Sequence, residues 1–349
     1  MQMTDIKSLN MEELTGFVKG LGEPAFRAKQ LYDWMHVKLV DSVDAMSNLP
    51  KSFREKIKES CYFTVLEAVQ VLESKLDGTC KFLFRIPEEE QVLKNNVIES
   101  VLMRYKHGNS VCISSQVGCR MGCRFCASTL GGLERNLTAA EMLEQIYRIQ
   151  QISGERVDNV VVMGTGEPMD NFDNLLRFLQ MISDENGLHI SKRNVTVSTC
   201  GLPEGIKKLA DAGADCTLAL SLHAPNDELR KTLMPIANKV SIREALAATD
   251  YYFEKTGRRI SFEYSLVSGV NDSLSHAHEL AGLLKGRNCH VNLIPVNPIA
   301  ERDFRASEAP NVTQFAASLE ANHITATVRR TLGSDISASC GQLRKSYSK

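Results

Sequence analysis

One stretch of this 349-residue chain decides how its fold is read: G-Cys119-R-M-G-Cys123-R-F-Cys126, residues 118–126. The three cysteines are four and three positions apart, and no fourth ligand is near them in the sequence. A [4Fe–4S] cluster normally takes four thiolates, so three would leave one iron open to bind a small molecule. Zinc sites usually pair a CxxC with a second CxxC or an HxxxH, and neither partner is present. The stretch therefore favours an iron–sulfur site over a zinc site.

The composition is that of an ordinary globular protein. Hydrophobic residues make up 43% of the chain and charged residues 24%, and the length suits one large domain plus a smaller one. Without a long apolar run or an apolar N-terminus, we expect no membrane span and no signal peptide. Ten cysteines without a secretion signal predict a reducing, cytoplasmic location. Because the formal net charge is −1, a nucleic-acid partner would need a local basic surface.

From about residue 108 the chain alternates strand-like and helix-like segments, which predicts an α/β fold with a parallel sheet. Six βα units are too few for a closed eight-stranded barrel, so we expect an open, partial (β/α)6 barrel whose chemistry lies at the carboxyl ends of the strands. The predicted strands are 110–116, 157–164, 194–201, 216–224, 259–267 and 290–298, with a closing strand at 323–331. The predicted helices include 138–152, 172–183, 203–212 and 273–285.

The first ninety residues have a different pattern. Helices are predicted over 11–21, 23–37 and 50–59, followed by antiparallel strands over 65–74, 79–86 and 97–105 with a turn at Asp77-Gly78. We therefore divide the chain into an N-terminal helical accessory domain with the start of a β linker (1–90), an α/β core (91–335) and a C-terminal loop (336–349). The accessory domain is locally basic, which fits an RNA contact surface or an ordinary solvated face. Its basic residues are Arg27, Lys29, Lys38, Lys51, Arg54, Lys56 and Lys58.

Polar residues follow several predicted strands at their carboxyl ends. Gly166 and Glu167 follow the second strand, where glycine permits close backbone approach and a carboxylate can bind an ammonium group. A tight βα turn or a helix cap would use the same two residues. As a set, these positions favour a site that hydrogen-bonds ribose hydroxyls or an adenine edge, although each alone also fits a structural role. The remaining positions are Ser198, Ser221, Leu222, His223 and Asn297.

Two further cysteines stand apart from the three in the motif. Cys112 lies in the first predicted strand, where a buried free cysteine is commonly just a small hydrophobic residue. Cys340 is flanked by small, polar and glycine residues, which indicates an accessible loop rather than core. The other cysteines have no motif and are interpreted as structural: Cys61, Cys80, Cys200, Cys216 and Cys289.

CxxxCxxC is the signature of radical S-adenosylmethionine (SAM) proteins, and the whole chain resembles the RlmN/Cfr family of radical SAM RNA methyltransferases. The resemblance includes E-P-A-F-R-A-K-Q (23–30), C-I-S-S-Q-V-G-C (112–119), R-N-L-T (135–138), S-L-H-A-P (221–225), L-M-P-I (233–236), G-V-N-D-S (269–273) and A-S-C-G-Q-L (338–343). G-E-P (166–168) and I-P-V-N-P (294–298) resemble the RlmN branch rather than Cfr. Thr165 and Ser339 depart from the residues that many members carry, methionine and alanine, and neither has an assigned chemical role.

The resemblance implies a partial radical SAM barrel with one [4Fe–4S] cluster held by Cys119, Cys123 and Cys126. SAM would bind the open iron and the strand-end residues, with Glu167 at its amino group. Cys340 would become an S-methylcysteine, using one SAM. A second SAM, reduced at the cluster, would yield the 5′-deoxyadenosyl radical that activates this methyl group. Cys112 would then resolve the covalent protein–RNA adduct by a transient disulfide with Cys340, and Glu99 would act as proton acceptor.

The resemblance also implies the substrates and partners. The target would be carbon 2 of adenosine, in the peptidyl-transferase region of 23S rRNA and beside the anticodon of tRNA. An electron donor such as flavodoxin or ferredoxin would reduce the cluster, and we expect a monomer. Arg329 and Arg330 join the basic N-terminal residues as possible phosphate contacts. The alternative is a Cfr-type enzyme that methylates carbon 8 of the same rRNA base.

Overall fold

The N-terminal region contains three helices in the computed structural model, which describes residues 3–87 and 97–342. Its elements are β1 (Thr4–Asp5), α1 (Met11–Gly20), α2 (Phe26–His36), α3 (Lys51–Ser60) and β2 (Cys61–Tyr62), and β1 pairs with β2 in parallel. All three predicted helices are confirmed. α2 begins later than predicted because a proline disfavours helical geometry in the residue before it, and Pro24 follows Glu23.

The predicted antiparallel strands are also confirmed, and they belong to the same sheet as the core. β3 (Glu67–Glu73) and β4 (Cys80–Arg85) form a hairpin, and β5 (Val97–Tyr105) pairs with β4. β5 then pairs antiparallel with β6 (Gly108–Cys112), the first strand of the core. The proposed linker therefore continues the core sheet at one edge. The boundary placed between residues 90 and 91 lies outside the described residues.

The core has the predicted α/β architecture of a partial (β/α)6 barrel. Its parallel strands are adjacent in the order β6, β9, β10, β11, β12, β13 and β14, and each connection between them contains at least one helix. The sheet therefore has six βα units and a closing strand. After β6 the elements are β7 (Gln116–Gly118), β8 (Leu133–Asn136), α4 (Ala139–Ser153), β9 (Asn159–Val162), α5 (Phe172–Ile182), β10 (Val195–Thr199), α6 (Pro203–Asp211), β11 (Thr217–Ser221), α7 (Asp227–Leu233), α8 (Ile242–Thr256), β12 (Ile260–Leu266), α9 (Leu274–Leu284), β13 (Cys289–Pro295), α10 (Ala309–Ala321) and β14 (Ala326–Val328).

The first core strand differs from its predicted bounds of 110–116. β6 ends at Cys112, and β7 begins at Gln116 in a separate two-stranded sheet with β8. Between them the side-chain amide of Gln145 takes the place of a strand partner. It accepts from the N–H of Ser114 at 2.8 Å and donates to the carbonyl of Ser114 at 2.9 Å. The chain thus leaves the sheet before it reaches the three motif cysteines.

The outer face of the parallel sheet is apolar. Val160, Val197, Leu218, Phe262 and Val291 are at most 1% exposed, as expected for strands covered by helices. The helices α7, α8 and α10 were not among those predicted, although α8 has a capping box between Ser241 and Glu244 that could have shown its start. Among the described helices, none combines the length and apolar character that crossing a membrane requires.

Candidate active site

The three motif cysteines lie on the loop between β7 and β8 and line one cavity at the carboxyl ends of the core strands. The loop is folded tightly on itself: the N–H of Cys126 donates to the carbonyl of Cys123 at 3.1 Å, and the hydroxyl of Thr129 donates to both of these residues' carbonyls. The N–H of Arg124 donates to the carbonyl of Leu233 at 2.9 Å, which fixes the loop to the end of α7.

Gly118 sets the path of the chain into this loop. Its φ is +75°, and an added Cβ would lie 1.9 Å from the carbonyl oxygen of Gly132. That same carbonyl accepts the N–H of Cys119 at 3.0 Å. A side chain at position 118 would therefore displace the hydrogen bond that positions the first cysteine.

We expect Gly118→Ala to lower the free energy of unfolding by about 3 kcal/mol, from left-handed strain plus overpacking, and to reduce the iron bound per chain. Gly154→Ala is the matched control, because Gly154 has φ +69° but no atom within 4 Å of its Cβ position. Urea denaturation and iron analysis of both reconstituted proteins measure the two effects. If the two variants lose equal stability and bind equal iron, the close contact with Gly132 has no role in the site.

Gly166 and Glu167 line the same cavity as the three motif cysteines. Gly166 has φ +115°, and a Cβ there would come within 2.7 Å of the Ser115 hydroxyl. The Glu167 carboxylate is 3% exposed and accepts the N–H of Met169 at 3.1 Å and the N–H of Cys200 at 2.7 Å. The capping role is therefore present, and burial raises the pKa of this carboxyl group. The side chains of Thr199 and Cys200 also hydrogen-bond this carboxylate, so an ammonium group would share its oxygens with them.

Of the residues predicted at the ends of the third and fourth strands, three line the cavity and one is buried in the hydrophobic core. Ser198 and Ser221 both line the cavity, with their hydroxyl oxygens 3.4 Å apart. His223 also lines it, but its Nδ1 accepts the N–H of Ser265 at 2.9 Å, and burial lowers its pKa to about 3, so the ring is neutral. The side chain of Leu222 is fully buried in the hydrophobic core, so only its backbone is left to contact a ligand.

Asn297 contacts Cys340 but does not line the cavity of the motif cysteines. The side-chain amide of Asn297 donates to the backbone carbonyl of Cys340 at 3.0 Å. Cys340 is half-buried and lines two adjoining cavities. The first is the one with the three motif cysteines, and the second is lined by Asn297, Val101, Met103 and Tyr105. Cys340 thus lies where the two cavities adjoin.

Cys112 is buried next to the loop that carries Cys340. It packs in an apolar cluster with Val101, Met103 and Ala338, and Ala338 belongs to the C-terminal loop. Burial raises the pKa of the Cys112 thiol to about 12, and the nearby Cys340 thiol adds to this. Both cysteines are free thiols. The structure therefore places these two sequence-predicted residues in one neighbourhood.

Glu99 lies on β5 and does not line the cavity with the motif cysteines. It is 6% exposed, and its Oε1 is 3.1 Å from the Nζ of Lys81. The same Nζ donates to the carbonyl of Ser337 at 3.3 Å. Glu99 is therefore linked to the Cys340 loop through one shared cation.

The hairpin turn between β3 and β4 fixes the start of the Cys340 loop. The carboxylate of Asp335 accepts the Ser74 hydroxyl at 2.7 Å and the N–H of Lys75 at 3.0 Å. In the other direction, the carboxylate of Asp77 accepts the N–H of Gly333 at 2.9 Å. The far end of the loop contacts the cysteine motif, because the N–H of Ala127 donates to the carbonyl of Gly341 at 2.8 Å.

We expect Asp335→Ala to make Cys340 react several-fold faster with iodoacetamide, because the loop loses the contacts of Asp335 with Ser74 and Lys75 of the hairpin turn. The contact of Asp77 with Gly333 remains there. Peptide mass spectrometry of the timed reaction gives the rate at Cys340 itself. Asp303→Ala, a change at an exposed aspartate, is the control. An alkylation rate equal to that of the control would show that the hairpin turn does not restrain the loop.

Three side chains of this site were missed or misplaced by the sequence analysis. Arg329, suggested as a phosphate contact, lines both cavities with Cys340 and lies 3.7 Å from a carboxylate oxygen of Glu263. Glu263 lines the cysteine cavity from the middle of β12. Arg230 is fully buried. Its guanidinium donates to the carbonyls of Cys200 and Leu222, the residues that follow β10 and β11, at 2.7 and 3.2 Å. The one sequence feature that could have indicated a role for Glu263 is that it is a charged residue within an otherwise apolar predicted strand.

The donor set fits a [4Fe–4S] cluster better than a single metal ion. Within residues 3–87 and 97–342, no three thiol, imidazole or carboxylate groups converge on one point. A cluster needs thiolates that are spread apart, because each binds a different iron. Burial raises the pKa of the Cys119 thiol to about 12 and also raises those of Cys123 and Cys126, but coordination to iron deprotonates a thiol regardless.

Family models match two parts of the chain. Residues 113–281 match the radical SAM superfamily, and residues 4–63 match the ribosomal RNA large subunit methyltransferase N-terminal domain. Proteins named "Probable dual-specificity RNA methyltransferase RlmN" are similar over nearly the full length. The one from Lachnospira eligens is 61% identical over 99% of this chain and 97% of its own length. The one from Lachnoclostridium phytofermentans is 59% identical, over 98% and 95%.

A solved structure has the same fold throughout. The radical SAM methyltransferase from Sphaerobacter thermophilus superimposes with a TM-score of 0.92 at 41% identity, covering 98% of this chain and 99% of that one. Radical SAM proteins use a [4Fe–4S] cluster with SAM, which agrees with the cavity lined by the three motif cysteines. With matches to both domain models and near-complete coverage of its relatives, the chain belongs to the RlmN family of radical SAM RNA methyltransferases.

Proposed function

We propose that this enzyme methylates carbon 2 of adenosine in 23S rRNA and in tRNA, through a methyl group carried on Cys340. The observation that carries the proposal is the position of Cys340, between the cavity of the three motif cysteines and the apolar cluster around Cys112. The relatives' names, which specify a dual-specificity RNA methyltransferase, support two RNA substrates. The domains follow the same division: 1–90 accessory, 91–335 catalytic core and 336–349 methyl-carrying loop.

Carbon 2 of adenine is electron-poor, so it cannot attack a methyl sulfonium directly. When bound, the cluster and SAM supply the methyl group and the one-electron chemistry that activates it. Cys340 forms the first new bond: its sulfur takes the methyl group, the bond from methyl to the SAM sulfonium breaks, and the thiol proton leaves to solvent. Once activated, the carbon held on Cys340 bonds to carbon 2 and links protein and RNA covalently.

Cys112 and Glu99 complete the reaction in this proposal. Glu99 takes the proton from carbon 2, and the Cys112 thiolate attacks the Cys340 sulfur. The bond from Cys340 to the transferred carbon then breaks with its electron pair staying on that carbon, which takes a proton from solvent to become the methyl group. The one electron left over from the radical addition passes to the cluster when it is bound. The RNA leaves methylated and the two cysteines are joined by a disulfide. Cytosolic thiols reduce this disulfide and reset the enzyme. The Lys81 ammonium group contacts both the Glu99 carboxylate and the Ser337 carbonyl. In this proposal it holds the proton acceptor at a fixed position relative to the Cys340 loop.

The RNA must present an unstacked adenosine to the cavity, as enzymes that act on bases require. Loops satisfy this, because their bases can be splayed out of the helix. The basic residues of the accessory domain and Arg330 are the proposed phosphate contacts. We further propose a cytoplasmic monomer whose cluster is reduced by a flavodoxin or ferredoxin.

The position of the methyl group tests the proposal. Reconstituted enzyme is incubated with SAM and 23S rRNA or tRNA transcripts whose adenines carry deuterium at carbon 2 or at carbon 8, and the digested nucleosides are analysed by mass spectrometry. The proposal predicts methyladenosine with loss of deuterium from carbon 2 only, in both RNAs. Loss from carbon 8 would identify the Cfr-type reaction instead, and methylation of one RNA alone would remove the dual specificity.

A further inference from the structure

Glu263 belongs to a row of polar side chains that crosses the inner face of the sheet. Its register partner on β11 is Ser221, and its partner on β13 is Asn292. Register partners on parallel strands point to the same face, so these side chains lie side by side. The row continues to Ser198 on β10, whose hydroxyl oxygen is 3.4 Å from that of Ser221. Ser198, Ser221 and Glu263 all line the cavity of the motif cysteines.

The Glu263 carboxylate is only half satisfied. Its side chain is 4% exposed, and its Oε1 accepts the side-chain N–H of Asn292 at 2.8 Å. Its Oε2 is buried and accepts no hydrogen bond from any residue the structure describes; the Nη1 of Arg329 approaches to 3.7 Å, beyond hydrogen-bond distance. A buried carboxylate oxygen without a donor is costly, so the fold retains this position for a donor that arrives from elsewhere.

The chemistry of the position limits what that donor can be. An ionised carboxylate only accepts hydrogen bonds, and Asn292 holds one oxygen so that the other remains available. SAM carries three groups that donate: its amino group, its ribose hydroxyls and its adenine amine. Glu167, which follows β9 and lines the same cavity, is the proposed partner of the amino group. The ribose diol offers adjacent hydroxyls, and acidic side chains recognise ribose in other nucleotide sites.

We propose that Glu263 is a SAM-binding residue that accepts a ribose hydroxyl through Oε2, with Asn292 as its positioning residue. Ser198 and Ser221 extend the same hydrogen-bonding surface toward the ribose. This inference rests on the proposed placement of SAM in the cavity. It adds Glu263, which is not among the SAM-binding residues predicted from the sequence. Burial raises the pKa of Glu263 while Arg329 opposes that rise, so the arginine favours the ionised, accepting form.

Equilibrium binding of SAM to the reconstituted, cluster-loaded enzyme tests the contact. We expect Glu263→Gln to weaken SAM binding by about tenfold or more, because a charge-assisted hydrogen bond is lost. The loss should disappear when the ligand is the 2′,3′-dideoxyribose analogue of SAM, which has no hydroxyl to donate. Glu320→Gln, on the exposed side of α10, is the matched control. Iron content and thermal unfolding confirm that the variants are folded and loaded.

The outcomes separate the two claims. If Glu263→Gln weakens SAM and the dideoxy analogue equally, or weakens neither, the ribose contact is wrong while SAM binding in the cavity stands. If the cluster-loaded wild-type enzyme does not bind SAM at all, both the proposed function and this inference are wrong. Asn292→Ala should reproduce part of the Glu263→Gln loss with SAM and none with the analogue, because Asn292 acts only through Glu263.

Discussion

Cys340→Ala is expected to abolish RNA methylation, reducing the rate by about a thousandfold or more, as loss of a covalent nucleophile does. Among the described cysteines, Cys340 is the one that lines both the cavity of the motif cysteines and the pocket that contains Asn297. Without its sulfur there is no carrier for the methyl group and no atom to link protein and RNA. The variant should therefore give neither methylated RNA nor a covalent adduct.

The measurement is methyl incorporation into RNA from labelled SAM, together with denaturing gel electrophoresis for adducts. Cys289→Ala is the control, since Cys289 is also a free cysteine but lies at the amino end of β13, away from the site. Binding of SAM should remain close to that of the wild type, because the residues proposed to hold SAM, among them Glu167, Ser198 and Ser221, are unchanged. Methylated RNA from Cys340→Ala at more than a trace would show that another group carries the methyl.

Cys112→Ala is expected to have the second largest effect: the enzyme should stop after one reaction with the RNA still attached. Cys112 lies in the cluster that includes Ala338 of the Cys340 loop, and the Cys340 thiol is near enough to affect its pKa. Its thiol has a pKa near 12, chiefly because it is buried, so the free thiol is mostly protonated at neutral pH. Removing it leaves methyl transfer to Cys340 intact and blocks only the release of RNA.

Single-turnover reactions with labelled RNA measure this. The Cys112→Ala protein should convert nearly one RNA per active site into a species that migrates with the protein on a denaturing gel, whereas wild type and Cys289→Ala should release free methylated RNA. Adding external thiols should not restore normal turnover, since the adduct is a thioether rather than a disulfide. Normal multiple turnover by Cys112→Ala would mean that another group resolves the adduct.

The fold was largely predictable because the core strands are short apolar runs separated by amphipathic helices. Strand ends were less predictable, as the region 110–116 shows. Its apolar pattern continues past Cys112, but the Gln145 amide, from a helix thirty residues on, ends the pairing there. α8 was not predicted, although Ser241 and Glu244 form a capping box that marks its start.

The site residues that belong to a sequence motif were predictable. Those whose position depends on tertiary packing were less so. The three motif cysteines, Gly166 and Glu167 line one cavity, as their spacing and strand-end positions suggested. Leu222 shares a motif with Ser221 but points into the core, since successive residues at a strand end face opposite sides. Glu263 was not predicted, because a single acidic residue within an apolar strand does not form a motif with fixed spacing. Its position in the site follows from its register with Ser221 on the neighbouring strand.

The most direct test of this account is mass spectrometry of the intact protein and its peptides, after anaerobic cluster reconstitution and incubation with SAM alone. The account predicts a gain of one methyl group per chain, located on Cys340. An unmodified Cys340 in protein that carries its cluster and binds SAM would contradict the methyl-carrier role and with it the proposed mechanism.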